Sequence, residues 1–230
     1  MRRREPFRAR RTTLDTVDVQ RLFSVALLGA LPGAAFLAAQ PPAANRPVLV
    51  CYGDSITAGY GLPYGQAYPD FLQKDLDAEG YRYKVVNRGT SGATTKDALA
   101  GLPFVLKLHP AVVIVEFGGN DGLRGLPVAG TRANLDRLLA GLEAAHVKIL
   151  LAGITLPPDY GPDYIRSFQQ IFRDVAARHR VALAPMLYRN LVHTQGTIQS
   201  DGIHPTAKGS ALIAATLLPA LRPLLRKGRY

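Results

Sequence analysis

From residue 48 to residue 221 the chain alternates between short, almost wholly apolar runs and longer stretches whose apolar residues recur every three or four positions. The short runs are 48–52, 112–117, 148–154 and 181–184, together with the more polar 83–87 (YKVVN). Continuous apolar character over so few residues predicts strands buried on both faces. The longer stretches are helical in pattern. In 68–79, Tyr68, Phe71, Leu72 and Leu76 share a face, and Gly80 ends the run. Thr94 or Thr95 is placed to cap a helix carrying Ala98, Leu99, Leu102, Val105, Leu106 and Leu108, with Gly101 and Pro103 as a site for a kink. Residues 132–145 align Leu135, Leu138, Leu139 and Leu142, and 164–178 align Ile165, Phe168, Ile171, Phe172 and Val175. A last helix is predicted over 205–221, with Pro205 in its first turn. Between these elements, 58–65, 88–95, 118–130 and 155–162 read as loops rich in Gly, Pro and small residues, and a short helix is expected near 188–192.

Strands alternating with helices call for a parallel sheet covered on both faces, an α/β three-layer α/β/α sandwich. Right-handed crossovers leave few topologies, and the flavodoxin-like order 2-1-3-4-5 is the expected one. In that order the ligand crevice opens between strands 1 and 3 at their carboxyl ends. Ser55 follows the first strand and Asn120 the third, while Gly92 and His204 lie in loops at the same edge.

These positions suggest a chemistry. In Tyr52-Gly53-Asp54-Ser55-Ile56-Thr57, Gly53 permits a tight turn that presents a serine. A serine hydroxyl attacks well only when a base takes its proton, and His204 is the candidate base. Asp201, three residues earlier, can accept from the other ring nitrogen and hold the tautomer. Acyl transfer to serine needs donors for an oxyanion, and the Ser55 N–H, the Gly92 N–H and the Asn120 amide are available. Each residue also has a plainer reading. Ser55 or Asp54 can cap a helix, His204 can start one over an Asp201 cap, and Asn120 and Gly92 can serve as turn residues. Asp54 and Glu116 are read as structural acids, Cys51 as a buried small hydrophobe, and His109, His146, His179 and His193 as structural or surface residues. Leu62, Leu123, Leu126, Leu156 and Pro157 are candidates to line an acyl groove.

The single cysteine excludes an intramolecular disulfide, and no histidine pair has metal-ligand spacing with carboxylates, so neither metal nor cofactor is expected. The formal net charge of +11 gathers at the two ends of the chain. No nucleic-acid module accompanies it, so nucleic-acid binding is not expected. Residues 22–39 are uncharged and apolar behind a run of arginines, as in an export leader. Leu37 is large for a cleavage site and 18 residues approach a minimal span, so a retained membrane anchor is the competing reading. The expected organisation is leader or anchor plus linker over 1–44, one domain over 45–226, and a basic tail over 227–230. The predicted localisation is periplasmic or secreted, as a monomer with peripheral membrane contact open to it.

Five stretches carry a resemblance: GDSITAGYG (53–61), NRGTSGATT (87–95), VEFGGNDGLRG (115–125), LPPDYGPDY (156–164) and DGIHPTAKG (201–209). Together they resemble the SGNH, or GDSL, hydrolases, and within them the bacterial acyl-CoA thioesterase, lysophospholipase and arylesterase group. The resemblance implies Ser55 as nucleophile, Asp201 and His204 completing a triad, and Gly92 and Asn120 in the oxyanion hole. It implies a small-molecule acyl ester, aryl ester, acyl thioester or lysophospholipid as substrate. Ile56-Thr57 and Ala93 depart from the group's usual residues, and Ala93 puts the thioesterase preference in doubt. A carbohydrate O-deacetylase of the same family and a non-catalytic flavodoxin-like binding protein are the alternatives.

Overall fold

The computed structural model describes residues 46–184 and 186–227; the leader and the end of the basic tail lie outside them. Five parallel strands form one sheet in the order β2-β1-β3-β4-β5. They are β1 (Val48–Gly53), β2 (Lys84–Gly89), β3 (Pro110–Glu116), β4 (Lys148–Ala152) and β5 (Ala182–Ala184). The helices are α1 (Ser55–Ala58), α2 (Tyr68–Ala78), α3 (Thr95–Leu106), α4 (Gly119–Leu123), α5 (Val128–Ala144), α6 (Pro162–His179) and α7 (Ala207–Leu221).

Alternation along each strand divides the core in two, because successive side chains point to opposite faces. Val50, Tyr52, Val113, Val115, Ile149 and Leu151 pack against α3, α5 and α6. Leu49, Cys51, Val112, Ile114, Leu150 and Ala152 pack against α2 and α7. The leucines that face the sheet, such as Leu72, Leu76, Leu135 and Leu138, are fully buried. Each contributes about 2–3 kcal/mol of apolar burial. The edge strand β2 is the polar, half-exposed member.

Several local expectations are corrected. The loop expected from residue 58 is preceded by the short helix α1, capped by the Asp54 side chain. The loop expected over 118–130 contains α4, and α5 begins at Val128. Residues 187–193 form successive turns, without the expected helix near 188–192. Pro205 stands outside α7, in an isolated antiparallel bridge to Ile198, and Thr206 caps the helix instead. As expected, Thr94 caps α3, and Pro103 lies inside that helix. Among the described residues, no helix is long and apolar enough to cross a membrane.

Candidate active site

The site grows from the carboxyl end of β1. Gly53 pairs with Glu116 across the β1–β3 ladder. A Cβ on Gly53 would stand 2.0 Å from Thr57 Oγ1 and 2.5 Å from Glu116 Oε2. Glycine is needed here for close approach, which differs from the turn geometry expected from the sequence. Asp54 then caps α1, its Oδ1 accepting the Ile56 N–H at 3.0 Å. That cap makes Ser55 the first residue of α1, half-buried, with an N–H that has no acceptor within the helix.

The second part is a turn ahead of α7. Gly202 takes a left-handed conformation (φ 74°), which a residue with a side chain adopts only under strain. The turn folds Asp201 back over its own successors. Asp201 Oδ1 accepts the N–H groups of Ile203 (2.9 Å) and His204 (3.0 Å), and Oδ2 lies 2.6 Å from His204 Nδ1. On the other side of the ring, His204 Nε2 lies 3.0 Å from Ser55 Oγ. Ser55, His204 and Asp201 thus form one hydrogen-bonded line across 149 residues of sequence separation. Partial burial would raise the Asp201 carboxyl, but the Ile203 and His204 N–H groups and the imidazole outweigh it and bring its pKa down to about 2. Gln199 holds this turn to the first loop: its amide donates to the carbonyls of Tyr60 (2.8 Å) and Pro205 (2.9 Å). The Tyr60 ring in turn lies 4.5 Å from the His204 ring.

Asn120 stands in α4, which follows the cap residue Gly118 at φ 121°. Its Nδ2 donates to the Ala93 carbonyl at 3.0 Å and to Asp54 Oδ2 at 3.2 Å. The amide is therefore tied both to the nucleophile's cap and to the loop after β2. Gly92 occupies a left-handed position (φ 79°) in that loop, and its carbonyl accepts from Arg124 at 2.7 Å. Gly92 borders the site through Ala93 but does not line the cavity around Ser55. Asp121, the neighbour of Asn120, is buried and committed to Thr95 and Thr131, which removes it as a partner for His204.

Ser55, His204 and Asn120 open on a cavity of about 420 Å³. Of the residues expected to line a groove, Leu123, Leu156 and Pro157 do so, whereas Leu62 and Leu126 do not. The rest of the apolar lining was not anticipated. Tyr188, Val192, Ile198 and Ile203 supply much of it, from turns that show no hydrophobic periodicity. Glu116 and Asp54 are also part of the cavity's floor. Of the other histidines, His179 is paired with Asp136 and Glu143, and His109 and His146 take left-handed positions after α3 and α5.

Three comparisons bear on this arrangement. The profile of the GDSL-like Lipase/Acylhydrolase family matches residues 51–212. The chain is similar to "Esterase TesA" of Pseudomonas aeruginosa, with 43% identity over 178 residues, covering 77% of this chain and 89% of that protein. It is 37% identical over 184 residues to "Thioesterase 1/protease 1/lysophospholipase L1" of Escherichia coli, covering 80% and 87% of the two chains. A solved structure of TesA superposes with a TM-score of 0.75 at 43% identity, covering 77% of this chain and 99% of that one.

Proposed function

Because the chain belongs to the GDSL-like lipase/acylhydrolase family and is an ester-bond hydrolase of the SGNH type, we propose that it is a serine esterase working through Ser55, His204 and Asp201. The observation that carries this reading is the unbroken hydrogen-bonded line Ser55 Oγ–His204 Nε2 and His204 Nδ1–Asp201 Oδ2 at the mouth of an apolar cavity.

In this mechanism His204 Nε2 takes the Ser55 proton as Oγ attacks the acyl carbonyl carbon. Asp201 keeps the Nδ1–H tautomer and balances the imidazolium. The carbonyl oxygen becomes an oxyanion, for which the Ser55 N–H and the Asn120 amide, both on the cavity, are the donors, with the Gly92 N–H as the third that the family resemblance implies. Both Asn120 amide hydrogens are engaged in the resting site, and the 3.2 Å bond to Asp54 is the longer. The oxyanion takes over that hydrogen. His204 then passes its proton to the leaving alcohol or thiol, and the acyl group remains on Ser55 Oγ. Water, deprotonated by His204, attacks the acyl-enzyme and restores the serine.

The cavity supports the choice of substrate. Its lining is mainly apolar and includes Leu123, Leu156, Val192, Ile198 and Ile203. Such a lining suits an acyl chain better than a sugar, which favours lysophospholipids, aryl esters, short-to-medium acyl esters and acyl thioesters over acetylated carbohydrate. Export by residues 1–44, with anchoring through 22–39 as the alternative, belongs to the same reading, and those residues lie outside the described structure.

The decisive experiment compares wild type with Ser55→Ala on p-nitrophenyl acyl esters of increasing chain length, beside acyl-CoA and lysophospholipid. The variant should lose about 10⁴-fold or more in kcat. Equal rates would refute the mechanism.

A further inference from the structure

Beneath the turn that carries Ser55 lie two carboxyl groups that the Ser-His-Asp line does not use. Asp54 is 2% exposed and Glu116 is 1% exposed. Asp54 is well supplied with donors: Oδ1 accepts from Ile56 N–H and Oδ2 from the Asn120 amide. Glu116 is not. Its Oε2 accepts the Thr57 hydroxyl at 2.8 Å and the Asp54 N–H at 3.3 Å, whereas its Oε1, equally buried, has no partner. Thr57, whose hydroxyl donates its hydrogen bond to Glu116, accepts one from the Tyr68 hydroxyl at 3.0 Å.

The charge balance around the pair is equally one-sided. The titratable groups that face it are Tyr68 from α2, Cys51 from β1, Tyr188 from the turns after β5, and His204. Of these only His204 can become a cation. A buried carboxylate with one oxygen unbonded, beside a second carboxylate, is a costly arrangement, and a carboxylic acid in its place is much less so.

We propose that Glu116 is a positioning residue that holds a proton on Oε1, so that the Asp54–Glu116 pair carries a single negative charge, on Asp54, which fixes the Asn120 amide beside Ser55. The oxygen assignment follows from the hydrogen bonds, since Oε2 already receives two donors. Burial first, and the charge of Asp54 second, push the Glu116 carboxyl well above its usual range. Burial also lifts Asp54, to about 6, against the pull of the Ile56 N–H and its other partners. The single charge matters to catalysis in two ways. With no charge on Asp54, the Asn120 amide loses the charged acceptor that orients it in the resting site, before the oxyanion takes over that hydrogen. With two charges, the pair would oppose the negative oxygen that forms above it. The second step rests on the esterase reading; the protonation of Glu116 does not.

The test is built to separate the two. Infrared spectra of Ser55→Ala and Ser55→Ala/Glu116→Gln at neutral pH should differ by a carboxylic-acid carbonyl stretch, present in the first and absent in the second. Carbon-13 labelled glutamate gives the same answer without a Glu116 variant: one side-chain carboxyl should keep the shift of the protonated form at neutral pH. In the active enzyme, Glu116→Gln should keep at least about ten times the kcat of Glu116→Ala, because the amide mimics the neutral acid, while Asp54→Asn lowers kcat by about tenfold or more with little change in KM. Coincident infrared spectra, with every labelled glutamate ionised, would overturn the proposal. So would a folded Glu116→Gln enzyme whose kcat falls about a hundredfold, to that of Glu116→Ala, since that would require the ionised form. An inactive wild type would instead count against the esterase reading and leave the spectroscopic result standing.

Discussion

Asp201 and Glu116 are both acids bound to the neighbourhood of Ser55, one at the surface and one in the core. The Asp201 side chain is 38% exposed, and its two oxygens receive two backbone N–H groups and an imidazole. Those donors hold it ionised, with a pKa near 2. Glu116 receives two donors on one oxygen and none on the other, in a buried site shared with Asp54. The same functional group is driven the opposite way, well above its ordinary range. The difference teaches that burial and the donors around a carboxyl group, and not its distance from the nucleophile, assign its work. A fixed charge suits the far side of an imidazole that must become a cation. A neutral acid suits the ground beneath a forming oxyanion.

The comparison breaks most sharply on its surface side. Asp201→Asn keeps the shape but removes the charge, so the Nδ1–H tautomer loses its acceptor. The expected loss in kcat is about 10³- to 10⁴-fold with KM little altered, measured by steady-state hydrolysis of a soluble aryl ester. A loss of only a few-fold would mean that His204 keeps its tautomer without Asp201. Next in size is Asn120→Ala, which cuts the link between the buried pair and the oxyanion. It should lower kcat by about 10²- to 10³-fold, again without a matching rise in KM. An effect confined to KM would place Asn120 in ground-state binding.

The surface side of this comparison was legible in the sequence and the buried side was not. Asp201 and His204 are three residues apart in a turn, so their pairing is local, and the alternation of strands and helices was enough to bring Ser55 to the same edge. The strand order followed from the same pattern. Glu116 was visible as one acid in an apolar strand, but its partner lies 62 residues away, and only the pairing of Gly53 with Glu116 across β1 and β3 brings them together. α4 was hidden because five residues with two glycines carry no helical periodicity. Much of the groove's apolar lining was hidden for a similar reason. Tyr188, Val192, Ile198 and Ile203 come from consecutive turns, where neither the helical nor the strand period applies. Leu62 and Leu126 read as groove residues only because loop leucines near motifs invite that reading.

The smallest expected effect sharpens the contrast through stability. In the unfolded chain Glu116 ionises around its ordinary value of 4.5, while in the folded protein it retains its proton well above that. Above pH 4.5, then, the native state binds one more proton than the unfolded state, and stability falls as pH rises, by up to about 1.4 kcal/mol per pH unit for one such group. Asp54 adds to the slope between its ordinary 3.8 and about 6. Asp201 runs the other way: lowered from 3.8 to about 2, it favours the folded state above that window and stops doing so as pH falls through it. Calorimetry across mildly acid to neutral pH should therefore show the Tm of Glu116→Gln gaining steadily on that of wild type as pH rises, because the glutamine has no proton to take up. The gain from the ionisation of Asp201 itself is complete over the same range and is lost only in stronger acid. If the Glu116→Gln difference were level, the two carboxyl groups would share one charge state and the contrast between them would be lost.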